Sequence, residues 1–168
     1  AHYLYRTRGL NLDAYAAQLI QAAQNEADPL VASPLVLALA KVKTPSVQTF
    51  LLSLAAGQKD ERVRGSAIRS LQAPSTPERS AVLALLGDQS HQVAAAVTAY
   101  INRHTALFTV EELVAAVAEC NNELVRASVY QNLLSQDQSQ VDEVRQAYES
   151  AQEPYAKAAY LRALAIVP

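Results

Sequence analysis

The sequence has no methionine and no tryptophan, a single cysteine and only four glycines. One Cys excludes an internal disulfide, and no Cys/His cluster has zinc-site spacing. Four glycines leave little material for phosphate-cradling loops. The patterns of a Gly-rich phosphate loop, a nucleophile elbow and a calcium loop are all missing. No apolar run reaches the roughly 18 residues that a membrane span needs. Because translation starts with Met, its absence leads us to expect a chain processed or excised from a longer one. No secretory signal pattern opens it. The compartment stays open, with the cytoplasm as the default.

What is present is enough for a core. Of 168 residues, 51% are hydrophobic and 18% charged, which excludes a disordered tail. A net charge of −2 argues against a protein held to nucleic acid by charge. The charge is unevenly spread. Residues 1–84 carry nine Lys/Arg against six Asp/Glu, and residues 85–168 carry five against ten.

A repeat organises the chain. The segment Asp60–Leu71 opens with a helix N-cap residue type and then places apolar residues at helical spacing. Three apolar columns recur: Val31, Val63, Val93, Val125, Ala156; then Leu35, Ala67, Val97, Val129, Tyr160; then Leu39, Leu71, Ile101, Leu133, Leu164. Successive members of the first column are 32, 30, 32 and 31 residues apart. A second helix fits before each of these. Thr44-Pro45 and Thr76-Pro77 read as N-caps followed by Pro at the first helical position, where a missing N–H costs nothing. Thr109 with Glu112 has capping-box spacing. Gly57 and Gly87 fall where C-terminal caps belong, and Leu12–Gln24 and Ser139–Ala151 supply the first helix of the first and last units. Each unit is thus a helical hairpin of about 31 residues, and such hairpins bury their apolar faces only by stacking. Ala1-His2-Tyr3-Leu4 repeats the pattern of Ala158-Ala159-Tyr160-Leu161, so residues 1–9 read as the end of a preceding second helix closed by Gly9.

Val63-Arg64-Gly65-Ser66-Ala67 and Val125-Arg126-Ala127-Ser128-Val129 resemble short HEAT-like repeats of the kind also found in phycobilin lyases. The resemblance covers residues 12–167. Two units depart from it: Ala94 and Ala32 stand in the Arg position, and Pro34 lies inside the first-unit second helix, where it should bend the helix or disturb its first turns. The fold expected is all-α, a right-handed α-solenoid of about five hairpins forming a single domain over residues 1–168. The resemblance further implies that second helices line a concave face. It also implies that Arg64, Arg126 and Lys157 pair with acidic or carbonyl groups of neighbouring repeats.

The residues opposite the apolar stripe then become the candidate binding surface. The candidates are Arg62, Ser66, Arg69, Arg103, Gln131, Tyr155 and Arg162, with Leu30, Leu37, Lys41, Gln92, Ala99, Leu124, Ser128 and Ile166 in the same columns. Arg62, Arg69 and Arg103 suggest an acidic peptide or phosphate as ligand, set against an ordinary solvated face. Tyr155 suits a partner contact or a part-buried end cap. The first-unit second helix is apolar nearly all round (Leu30, Pro34 and Leu37 beside Val31, Leu35 and Leu39), so it should be covered. His2, His91 and His104 are scattered. His104 follows a helix end, where a His interacts well with the dipole. Cys120 reads as a packed residue, and Glu111-Glu112 as helix-start charge.

These readings predict no catalytic constellation, no metal site and no cofactor. The expected function is a non-enzymatic protein–protein interaction or scaffold module with no nucleic-acid partner. The alternatives are a repeat domain supporting a larger enzyme and, further off, a bilin-lyase-like protein.

Overall fold

The computed structural model describes residues 2–57 and 59–167, apart from the Thr76 side chain. Every regular element among the described residues is helical. The chain divides into two compact units, residues 1–82 and 83–168.

The first unit contains α1 (His2–Arg6), α2 (Ala16–Asn25), α3 (Pro29–Ala38), α4 (Pro45–Ala56) and α5 (Glu61–Ser70), with α6 (Thr76–Leu83) at the boundary. Here α3 packs against α1, α2 and α5, and α4 packs against α5. The second unit contains α7 (His91–Arg103), α8 (Val110–Ala118), α9 (Glu123–Gln136), α10 (Val141–Ser150) and α11 (Pro154–Leu164). In it α9 is central, touching α7, α8 and α11, and α10 packs on α11. Single 3-10 turns at Asp13–Tyr15, Leu39–Lys41, Ala84–Gly87, Thr105–Leu107 and Gln138–Gln140 join or extend these helices. Both helices of every expected hairpin are present.

The apolar columns form the core. Val63, Val93, Val125 and Ala156 of the first column are buried, as are Ala67, Val97, Val129 and Tyr160 of the second and Leu39, Leu71, Ile101 and Leu133 of the third. Full burial of one such Val, Leu or Ile contributes about 1.5–3 kcal/mol, against about 1 kcal/mol for a net hydrogen bond. The columns therefore dominate the stability, and polar ties set register. Val31 departs from its column and is 39% exposed, and Leu35 and Leu164 are only half-buried. Helix α3 is apolar on several sides, and the packing turns Ala32, Pro34, Val36 and Ala38 inward instead. Pro34 sits inside α3 without ending it; it cannot donate to the Leu30 carbonyl, which lies in the first turn.

Part of the cover expected for α3 comes from within the chain. Helix α1 packs on it, and Lys41 Nζ donates to the carbonyls of Leu4 and Thr7 at the end of α1. Gly9 follows at φ 74°, a left-handed conformation in which an L side chain is strained. Leu30 stays 64% exposed at the start of α3.

Side-chain caps hold the starts of α3, α5, α8 and α9. Asp28 accepts from Leu30 N, Asp60 from Arg62 N, and Asn122 from both Leu124 N and Val125 N. Thr109 and Glu112 form the reciprocal capping box. Two expectations shift. Helix α6 begins at Thr76 itself, and the preceding Ser75 donates its N–H and hydroxyl to Glu78 at 2.6 Å each. Thr44 occupies the N-cap, yet its side chain makes no capping bond; its Oγ1 lies 3.1 Å from the Ser46 hydroxyl. Gly57 does sit at the C-cap of α4, in an extended rather than left-handed conformation.

Candidate functional site

The second helices bury two arcs, one toward their own first helix and one toward the neighbouring second helix. On α5 small residues carry the second arc. In α5 the buried set includes Gly65, Ser66 and Ala67. Ser66 is fully buried and its hydroxyl lies 2.6 Å from that of Ser33 on α3. Ser70 Oγ donates to Val36 O at 3.0 Å. Ser66 is therefore a packing residue between helices, not a surface contact as its column suggested. Arg62 and Arg69, on the same helix, are exposed. Arg69 reaches back to Ser66 Oγ at 3.4 Å.

In the second unit the corresponding ties run through Asn132, which is 7% exposed. Its Nδ2 donates to Asn102 Oδ1, and its Oδ1 accepts from Thr105 Oγ1 at 2.7 Å. These bonds fix α9 against the C-terminal end of α7. Arg103 lies at that end. Its guanidinium sits 5.5 Å from the Tyr100 ring centroid and its Nε donates to His104 Nε2 at 3.3 Å. Burial, then the Arg103 charge, lowers the His104 pKa below its ordinary value. His104 thus acts as a neutral acceptor for Arg103, which reverses the cationic role that its place after a helix end suggested.

The remaining candidates lie on one face of α9 and α11. Gln131 and Arg162 line a shallow depression of about 160 Å³ with Leu124 and Ser128. Beside it lies a cleft of about 500 Å³ at the N-terminal ends of α7, α9 and α11. Its apolar lining includes Leu86, Leu124, Tyr155 and Ala156. Tyr155 is 79% exposed and Leu124 47%. Leu124 borders both hollows, so Gln131, Tyr155 and Arg162 share one grooved surface. His91 and Asn122 meet across the cleft wall at 2.5 Å. Sequence reasoning reached Tyr155 and Leu124 through their repeat position. It missed His91, Asn122 and the turns before each helix, which meet only after about 31-residue steps along the chain.

The Arg expected to pair between repeats behaves in two ways. Arg64 Nε donates to Ala55 O at 2.8 Å, the end of α4 in its own hairpin. Arg126 Nε is buried without a hydrogen-bond partner, as is the Tyr160 hydroxyl. Both border a hollow of about 260 Å³ beside Tyr130 and Glu143. Burial raises the Tyr160 pKa, and the adjacent Arg126 charge opposes that rise. Tyr130 donates to Glu143 Oε1 at 2.8 Å, and burial together with this bond pushes its pKa well above the usual tyrosine range. Lys157 faces the Tyr148 ring, 5.6 Å from its centroid. Cys120 is buried, its Sγ 3.6 Å from Leu86 O, as a packed residue.

Comparison with family models gives one further observation. A model of HEAT repeats matches residues 16–102, just over half of the chain. The chain belongs to the HEAT-repeat family. HEAT repeats generally mediate protein–protein interaction or scaffolding and are typically non-catalytic. Comparison with curated proteins and with solved structures gives no match. In this HEAT chain no group of three or more His, Cys, Asp or Glu among the described residues is placed to hold a metal ion. No described helix is long and apolar enough to cross a membrane.

Proposed function

We propose that this HEAT-repeat chain is a non-catalytic protein-binding module, and that it engages partners on the exposed face of its second helices. One observation carries the reading. Leu124 and Tyr155, from two different second helices, are both exposed at one cleft large enough for a peptide side chain. An exposed aromatic beside an exposed aliphatic costs solvation unless a partner covers them, and aromatic anchors dominate binding energy at protein interfaces. Polar neighbours Gln131 and Arg162 supply donors at the rim. In the first unit the same helix face carries Arg62 and Arg69, whose paired donors suit an acidic segment.

Selection of a displayed random-peptide library against the whole protein tests the reading. Enriched peptides should lose at least about tenfold in affinity to Tyr155→Ala or Leu124→Lys and be unaffected by Arg145→Ala, a change on the exposed side of α10. Binders indifferent to Tyr155, Leu124, Arg62 and Arg69 alike would place recognition elsewhere and reject it.

A further inference from the structure

We infer that the cleft at the N-terminal ends of α7, α9 and α11 takes a cationic, apolar segment of a partner protein, a refinement that rests on the protein-binding reading above. The second unit has an excess of acidic side chains, and at this cleft the excess is concentrated. Asp88, Glu123 and Glu153 line it, and no Lys or Arg is among its described lining residues. The cations nearest in sequence are turned to other neighbours. Lys157, one helical turn after Glu153, lies against the Tyr148 ring. Arg126, three residues after Glu123, borders the adjoining hollow beside Tyr130 and Tyr160, which Glu123 lines as well.

Helix N-termini ordinarily attract anions, and here the chain places its own beside them, Glu123 in the first turn of α9 and Glu153 at the N-cap of α11. Helices α7 and α11 have no side-chain cap bond. Asn122 accepts from Leu124 N and Val125 N. Asp88 accepts from Ser90 N at 2.9 Å. Pro154, at the first position of α11, has no N–H to offer. The cleft therefore offers an apolar floor at Leu86, Leu124 and Ala156, an exposed Tyr155 ring and the carboxylates of Glu123 and Glu153. A leucine or phenylalanine side chain fits the floor. A Lys or Arg beside it in the same segment meets the carboxylates and the Tyr155 ring face. The chemistry at this cleft is therefore the reverse of that suited to Arg62 and Arg69.

Three acetylated, amidated pentapeptides test this. The first alternates lysine with leucine and phenylalanine, the second replaces each lysine by glutamate, and the third replaces the two apolar residues by glycine. Binding to the whole protein is followed by amide chemical shifts, including the Asn122 side-chain amide. The first peptide should bind with shifts clustered at Asn122, Leu124 and Tyr155. Its affinity should fall about tenfold in Glu123→Gln/Glu153→Gln or on raising salt from about 50 to 300 mM. Tyr155→Ala should weaken it by a similar factor, and the other two peptides should bind at least about tenfold more weakly. Equal or tighter binding of the glutamate peptide at the cleft would overturn the charge assignment and leave the protein-binding reading standing. Equal binding of the glycine peptide would overturn the apolar requirement. Shifts confined to another surface, or no binding by any peptide, would overturn the assignment as a whole. Unchanged thermal melting of each variant shows that any loss is local.

Discussion

The hydroxyls of Ser33 and Ser66 face each other at 2.6 Å between α3 and α5. Each hydroxyl stands where a larger side chain would hold the helices apart, and the pair satisfies both groups at a buried point. Ser66→Ala leaves the Ser33 hydroxyl facing the methyl group and is expected to cost about 1 kcal/mol. Ser66→Leu overpacks the same point and is expected to cost about 1–3 kcal/mol. Urea unfolding of the two variants separates lost bonding from lost space. Neither substitution should change peptide binding at Tyr155.

A second polar tie holds α7 and α9. Asn132 is shared by Asn102 and Thr105, so Asn132→Ala takes a partner from each, as Ser66→Ala does from Ser33 and Arg69. Asn102 is exposed and can turn to water, whereas Thr105 is half-buried, and its one hydroxyl proton has the Ile101 and Asn102 carbonyls as poorer alternative acceptors. The expected cost is about 1–3 kcal/mol. The double variant Asn132→Ala/Thr105→Val should lose less than the sum of the two single changes, because each single change already breaks the bond they share. Additive losses in a double-mutant cycle would show that the two residues act independently.

These ties mark where the sequence stops being legible. Three apolar columns, the Thr109 capping box and the Gly9 terminus were all readable, because hydropathy at helical spacing and turn chemistry report them directly. The second buried arc was not. On α5 it includes Ser66 and Ser70, small residues with little hydropathy signal whose hydroxyls meet Ser33 and the Val36 carbonyl of α3. Assigning Ser66 to the surface followed from one-helix geometry, which counts a single buried stripe. The candidate cleft was legible only in part. Tyr155 and Leu124 share a repeat position, but Asp88, Glu123 and Glu153 come together only through stacking.

Lys41 tests how α1 is held. Its ammonium meets two carbonyls at the end of α1, which are otherwise left open by a five-residue helix. Lys41→Met keeps the stem packing and removes the donors. Amide exchange at Thr7, whose N–H donates to Tyr3 O, is expected to accelerate at least about tenfold while exchange in α5 is unchanged. Equal acceleration in α5 would mean that Lys41 supports the whole unit rather than α1 alone.

His104 should make stability fall in mild acid. Its folded-state pKa is lowered from 6.5 by burial and by the Arg103 charge, so between the folded and unfolded values the unfolded chain binds more protons. The stabilisation is fully present above about pH 6.5 and is lost as pH falls through the folded pKa. Protonation converts Nε2 from acceptor to donor, which breaks the bond from Arg103 Nε and sets two cations side by side at the end of α7. His104→Gln keeps a neutral side chain with an acceptor and does not titrate. Melting temperatures of both proteins from pH 7.5 to 5 should therefore diverge, with the parent falling further than the variant. Parallel curves would mean that Arg103 swings to solvent when His104 is protonated, with Tyr100 stacking alone holding the imidazole in place.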